Sequence, residues 1–309
     1  MQINAVFEGG GVKGISLAGA VKAAELAGVG FNRMAGTSSG SIVAAVLAAG
    51  YKADEMKRII EETPFQRLLV RAPIFNTRFV GPPLRVLLKK GLYSGEALEH
   101  WIRKLLLAKG IFTFSDLPDG KLYIVASDIT NGKLLVLPDD LKNYGINPST
   151  FPVAKAVRMS CSIPYFFDPV ILRLMGEQAR GKSFQEQFVY IVDGGLLSNF
   201  PLWLFDRKLK GKEKALPVVG FQMVGKNSGE SHRINGPFSM LTAMFETMLS
   251  AHDERYIEKE NRNRTIKIPT LGISTTHFNL SDTESMELYQ SGLIAGKRFF
   301  QDWRPDKHE

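Results

Sequence analysis

Within its first fifty residues the chain twice passes from a short apolar run, through a turn of glycines and small residues, into a helix-like stretch. Ile3 to Phe7 leads through Gly9-Gly10-Gly11 into Val12 to Ala27, where Ile15, Ala18, Val21 and Leu26 recur near one helical face. Phe31 to Ala35 then leads through Gly36-Thr37-Ser38-Ser39-Gly40 into Ser41 to Ala49, with Gly28 and Gly30 closing the first helix and Gly50 the second. Parallel strands need crossover connections, and strand, helix, strand, helix in close succession supplies them. The order therefore predicts an α/β core built on a parallel sheet.

The rest of the chain extends that core without repeating it. Asp54 to Glu62 and Glu96 to Ala108 read as helices. Leu122 to Ser127 and Lys133 to Leu137, joined across Asn131-Gly132, read as an antiparallel hairpin, which makes the sheet mixed. Pro152 to Ser160 is a short helix, Phe188 to Val192 a strand ending at Asp193-Gly194-Gly195, and Val218 to Met223 a further buried strand; Phe238 to Ile257 and Glu284 to Phe300 are the C-terminal helices. No low-complexity linker or internal repeat divides the 309 residues, so one domain is expected over 1–309, with the motif-bearing core at about 5–201 and its completion at 202–309.

Several classes drop out on composition. The longest apolar run, Ile42 to Ala49, is far short of the ~18 residues that suggest a membrane span. A single cysteine, Cys161, excludes an internal disulfide framework and a zinc-thiolate cluster. The N-terminus enters a strand-like run rather than a basic and then apolar leader, so the cytosol is the expected compartment. Lys plus Arg number 39 against 31 Asp plus Glu, a net +8 that favours anionic partners, lipid surface or nucleic acid, without choosing between them.

Gly9-Gly10-Gly11-Val12-Lys13-Gly14 fits G-x-G-x-x-G between a strand and a helix, the place where a dinucleotide pyrophosphate sits. Such a site wants an acid ~20 residues on, for the ribose, and Phe31 to Ala35 contains none. A Walker loop fails as well, because Ile15-Ser16 follows Gly14. The second turn instead matches G-x-S-x-G, a sharp strand-to-helix corner that pushes its serine outward over the N-terminal field of a helix. Ser38 is thus a candidate nucleophile, although a plain glycine-serine turn would look the same.

A serine nucleophile needs donors for an oxyanion and a base. Backbone amides at Gly10 and Gly11 are suitably placed if the first two strands are neighbours, and Lys13 either adds charge at the rim or is simply solvated. An ordinary triad ending in one of His100, His232, His252, His277 or His308 fits poorly, since the usual hydrolase sheet puts several strands before its nucleophile and only 37 residues precede Ser38. Asp193 is the better candidate base: it follows an apolar strand, so a position at the C-terminal edge of a parallel sheet would bring it to the same crevice, and burial would raise its pKa. An aspartate bonding its own turn is the competing reading.

Together these elements resemble the patatin-like phospholipase family. Its oxyanion motif G-G-G-x-[KR]-G stands at Gly9 to Gly14, its nucleophile motif at Gly36 to Gly40, and its D-G-[GA] motif at Asp193-Gly194-Gly195; the block Ser160 to Pro169 is similar to its proline-containing segment, with Ser162 where alanine is frequent. The resemblance implies a three-layer α/β fold with a mixed, largely parallel sheet flanked by helices. It also implies a Ser38–Asp193 dyad without histidine, oxyanion donors in the Gly9-Gly10-Gly11 run, and supporting roles for Lys13, Gly14, Gly36, Gly40, Gly194 and Gly195. Phospholipid or another fatty acyl ester is the implied substrate, with no metal, no cofactor and no nucleic acid partner. A general carboxylesterase using the same dyad, and a catalytically silent lipid-binding protein, remain the alternatives. Ser162 is expected to make the wall of the site slightly more polar.

One stretch stands apart. Residues 63–95 contain no acid and carry Arg67, Arg71, Arg78, Arg85, Lys89 and Lys90 among leucines and phenylalanines. Peripheral contact with an anionic membrane is one reading, and core leucines with solvated arginines the other.

Overall fold

The computed structural model describes residues 1–70, 81–209, 216–225 and 261–303, together with 234–236, 239, 240, 243, 244 and 247. Arg71 and Arg78, and most of the stretch expected as a helix from Phe238 to Ile257, lie outside the described residues.

Strand β1 (Gln2–Phe7) runs parallel to β2 (Gly30–Thr37), so the two glycine-rich turns sit side by side at neighbouring strand ends. Between them lie a 3-10 turn over Gly11–Gly14 and helix α1 (Ile15–Leu26); α2 (Ser39–Ala48), α3 (Ala53–Glu62), α4 (Gly81–Lys89) and the short strand β3 (Gly91–Tyr93) follow. The second strand is longer than Phe31 to Ala35 and α2 begins earlier than Ser41. Ser38 alone makes the corner between them.

After α5 (Glu96–Leu107), the hairpin β4 (Leu122–Asp128) and β5 (Lys133–Leu137) is antiparallel as expected. Then come α6 (Val153–Ser160), β6 (Tyr165–Phe167), β7 (Val170–Arg173), β8 (Phe188–Asp193), α7 (Trp203–Leu209), β9 (Val218–Val224), β10 (Thr265–Pro269) and α8 (Asp282–Asp302). The main sheet has the order β10-β9-β1-β2-β4-β8-β7, with β5 also on β4; β3 and β6 form a separate pair. From β10 to β4 along that path all pairings are parallel.

Successive residues of a strand point to opposite faces, and both faces are covered. Ile3, Ala5, Phe7 and Met34 belong to the core with α1 and α2, while Val6 and Ala35 pack with Phe200, Leu202 and Phe205 on the other side. Layers of helix, sheet and helix follow from strands that are apolar on both sides.

One expectation is corrected. The strand leading to Asp193 is antiparallel to its neighbours, not parallel: β8 pairs with β4 through Ala126–Asp193 and with β7 through Val170–Ile191. The carboxylate still reaches the crevice because β4 overshoots β2. Residues 122–125 of β4 pair with β2 and residues 126–128 with β8, while β5 occupies residues 124–128 along the opposite flank. Strands β2 and β8 therefore abut end to end on one side of β4, and their C-terminal residues meet head on.

Candidate active site

That abutment brings Ser38 and Asp193 together at the centre of the sheet. Ser38 has φ 51° and ψ −128°, a backbone region costing a non-glycine residue roughly 1–3 kcal/mol and held only where the surroundings enforce it. Here they do. The Ser38 amide donates to Ser160 Oγ at 2.8 Å, Ser160 Oγ donates to the Val125 carbonyl at 2.6 Å, and the Ser38 carbonyl accepts the Ser41 hydroxyl at 2.6 Å. The flanking glycines are steric necessities: a β-carbon at Gly36 would run into the Gly40 carbonyl, and one at Gly40 into the Phe7 carbonyl. As the cap of the ten-residue α2, Ser38 also lies in the positive field of a helix N-terminus.

Asp193 is fully buried. Its amide donates to the Ser162 carbonyl at 2.9 Å and its Oδ1 accepts the Gly195 amide at 2.8 Å, so the two glycines after it serve a turn that bonds the carboxylate. Oδ2 makes no conventional hydrogen bond among the described residues. The Ser38 hydroxyl lies close enough to favour the charged form without completing such a bond. Burial dominates nonetheless and pushes the carboxyl up to about 7, with the Gly195 amide and the Ser38 hydroxyl pulling against it.

The glycine turn after β1 is held in a particular way. The Gly9 amide donates to the Asn199 carbonyl at 3.1 Å, and the Asn199 side-chain amide donates back to the Gly9 carbonyl at 3.1 Å. In a trans peptide the carbonyl of one residue and the amide of the next point in opposite directions. Anchoring the Gly9 carbonyl on buried Asn199 therefore aims the Gly10 amide the other way, to Ser39 Oγ at 3.1 Å beside Ser38. The Gly11 amide meets no acceptor among the described residues, and Gly11 has φ +57°, with the Thr275 carbonyl where a β-carbon would be. Lys13 is half-buried with its aliphatic stem beside Gly10, and Gly14 lies against the Ser39 side chain.

Ser38, Ser39 and Gly11 open on a cavity of about 120 Å³ that runs between α1, α2, α3 and α5. Its wall includes Val46, Met56, Leu68, Trp101 and Phe278, and among the described residues no charged side chain lines it. A larger groove of about 1510 Å³ between β10 and α8 contains neither Ser38 nor Asp193 and mixes acids with bases, so it offers these groups no substrate. Ser162 does not line the small cavity. Its hydroxyl is turned to Arg158, which corrects the expectation of a more polar wall. Cys161 lines the cavity, but burial raises its thiol far above the usual range. Native protein is accordingly expected to resist alkylation of Cys161 at neutral pH, read by mass spectrometry. His100 and His277 are exposed and do not line the cavity; His232, His252 and His308 lie outside the described residues.

Two residues at the site stood in no motif, Asn199 and Phe278, and two stood inside motif blocks without a role assigned to them, Ser39 between Gly36 and Gly40 and Ser160 at the head of the block that ends at Pro169. Asn199 follows the Asp193-Gly194-Gly195 block closely, but nothing local in sequence ties residue 199 to residue 9. Phe278 comes from the loop before α8 and stacks on Phe166 at 5.3 Å.

The patatin-like phospholipase family matches residues 5–206. YqhO, an uncharacterized protein of Bacillus subtilis strain 168, is 42% identical over 98% of this chain and 99% of its own length. R571, an uncharacterized protein of Acanthamoeba polyphaga mimivirus, is 26% identical over 96% of this chain and 92% of its own. Among solved structures, VipD from Legionella pneumophila superposes with a TM-score of 0.55 at 18% identity, over 97% of this chain and 67% of that one, a likeness of fold. With the motif-bearing strands, their turns and the family match coinciding over the same residues, the chain belongs to the patatin-like phospholipase family.

Proposed function

We propose that the protein is a lipid acyl hydrolase of phospholipase A type, cleaving fatty acyl esters with Ser38 as nucleophile and Asp193 as base. The observation that carries this reading is the placement of Ser38 between a buried carboxylate poised near neutrality and an apolar cavity walled by four helices. An acyl chain in that cavity presents its ester carbonyl at Ser38.

Ionised Asp193 takes the Ser38 proton as Oγ attacks the carbonyl carbon. The oxyanion that forms is met by the amides of Gly10 and Gly11, the ester oxygen displacing Ser39 Oγ from Gly10. Collapse breaks the bond to the alcohol, which leaves with the proton from Asp193. Water then enters and attacks the acyl-serine as Asp193 removes its proton, and the tetrahedral species collapses with that proton passing from Asp193 to Ser38 Oγ as fatty acid departs. Gly36, Gly40 and Gly194 allow the close backbone approaches that hold this arrangement and Gly195 gives its amide to Asp193, while Gly9 and Gly14 shape the donor turn and Lys13 lies beside it.

Strands β9 and β10 arise beyond residue 206 yet complete the sheet on β1, which supports reading 1–309 as one structural unit. Among the described residues no helix is long and apolar enough to cross a membrane.

A fluorophosphonate probe is expected to label the protein once, at Ser38, and Ser38→Ala to abolish both labelling and release of fatty acid from phosphatidylcholine. A folded wild type that takes no label points to a silent lipid binder. Labelling with hydrolysis of short soluble esters only points to a general carboxylesterase.

A further inference from the structure

The acid-free stretch of residues 63–95 divides sharply in the structure. Leu68 is buried and lines the acyl cavity. Arg85 turns inward, 3% exposed, and makes a bidentate ion pair with Asp168 at 2.7 and 2.8 Å. That pair fixes the roll of α4 about its axis. With the arginine inside, Leu84, Leu87 and Leu88, spaced i, i+3 and i+4, form one stripe facing solvent, exposed by 41, 77 and 58%. An ordinary surface helix does the reverse, burying its leucines and exposing its arginine.

Two cations stand at one end of the stripe, Lys90 with its Nζ 5.1 Å from the Tyr190 ring centroid. Lys89 and Lys90 are exposed where α4 ends, and the charge of Arg85 is already neutralised by Asp168. The stripe is also joined to the site. Helix α4 leads directly into β3, β3 pairs with β6, and Phe167 of β6 lines the acyl cavity while Phe166 stacks on Phe278, another of its walls. Half-exposed Tyr165 pairs with Gly91 in the same two-stranded sheet.

We propose that the outward face of α4 docks the protein on an anionic phospholipid bilayer, with Leu84, Leu87 and Leu88 entering the interface and Lys89 and Lys90 meeting the headgroups. An apolar stripe edged by lysines is the chemistry of an interfacial helix. A second copy of the chain fits less well, because two such cationic faces repel. The proposal deepens the hydrolase reading and rests on it, in that docking holds the mouth of the acyl cavity at the lipid surface.

Vesicle co-sedimentation of full-length Ser38→Ala protein tests this without consuming the lipid. Binding is expected to mixed phosphatidylcholine and phosphatidylglycerol vesicles, weaker to phosphatidylcholine alone, and reduced by salt. The further changes Leu84→Ser, Leu87→Ser and Leu88→Ser together are expected to weaken binding to both vesicles about tenfold or more. Lys89→Gln with Lys90→Gln is expected to weaken only the anionic case, again about tenfold. In the Ser38 background both sets should leave hydrolysis of a soluble short-chain ester unchanged, which also reports folding. The proposal is overturned if the leucine variant binds as its parent does, if the parent ignores anionic vesicles at low salt, or if the leucines govern self-association instead. Docking by Ser38→Ala protein beside an inactive wild type would sink the hydrolase reading and leave the docking face standing.

Discussion

Asp193→Asn is expected to lower turnover by roughly three to five orders of magnitude while leaving the fold intact, because the amide is isosteric and cannot accept a proton from Ser38. Wild-type turnover should rise with pH through about 7 and level off above it, since only the ionised carboxylate is a base. The same substitution should move stability in the opposite sense. The folded-state pKa lies above the unfolded value of ~3.9, so the folded state holds the proton more tightly. Wild-type stability therefore falls as pH rises from about 4 to about 7 and is flat beyond. Asp193→Asn lacks that loss and should gain as much as a few kcal/mol over wild type at pH ~8 relative to pH ~4. Urea denaturation at the two pH values, beside rate measurements, checks both halves. An Asn variant that keeps its turnover would assign the base elsewhere.

Asn199→Asp should cost about a hundred- to a thousandfold in kcat with KM nearly unchanged, the signature of losing one oxyanion donor. The cause is the direction of a single peptide. The side-chain amide of Asn199 holds the Gly9 carbonyl and so aims the Gly10 amide at the site. A carboxylate there repels the carbonyl instead, and a peptide between two glycines turns over readily. The backbone half of the clamp, from the Gly9 amide to the Asn199 carbonyl, survives the substitution and should keep the loops together. Slowed fluorophosphonate acylation in protein that still folds is the expected result, with a lowered melting temperature from the carboxylate buried in place of an amide. A change confined to KM or to stability would mean that Asn199 only supports the loop.

What could be read from the chain beforehand depended on range. The corner at Ser38 was legible because its requirements are local: a strand, a helix, and glycines where the Phe7 and Gly40 carbonyls leave no room for a side chain. The β4–β5 hairpin was legible for the same reason, from Asn131-Gly132 between two apolar runs. The strand carrying Asp193 was recognised but its direction was not, since nothing in residues 188–193 states which neighbour they pair with. The basic stretch was seen as a block, yet whether each leucine faced inward or outward waited on Arg85 finding Asp168, 83 residues away.

Sequence alone determined the α/β class, the identity of the nucleophile candidate and the presence of an acid at a strand end, because periodicity and glycine placement act within a few residues. Only the tertiary structure decided how the acid reaches the serine, through the overshoot of β4 that lets β2 and β8 meet end to end. It also decided that burial raises the Asp193 carboxyl to about 7 and that the Gly10 amide points at Ser39 Oγ. Desolvation and the aim of a peptide depend on groups up to 190 residues apart, such as Gly9 and Asn199, whose contact exists only once the chain has packed.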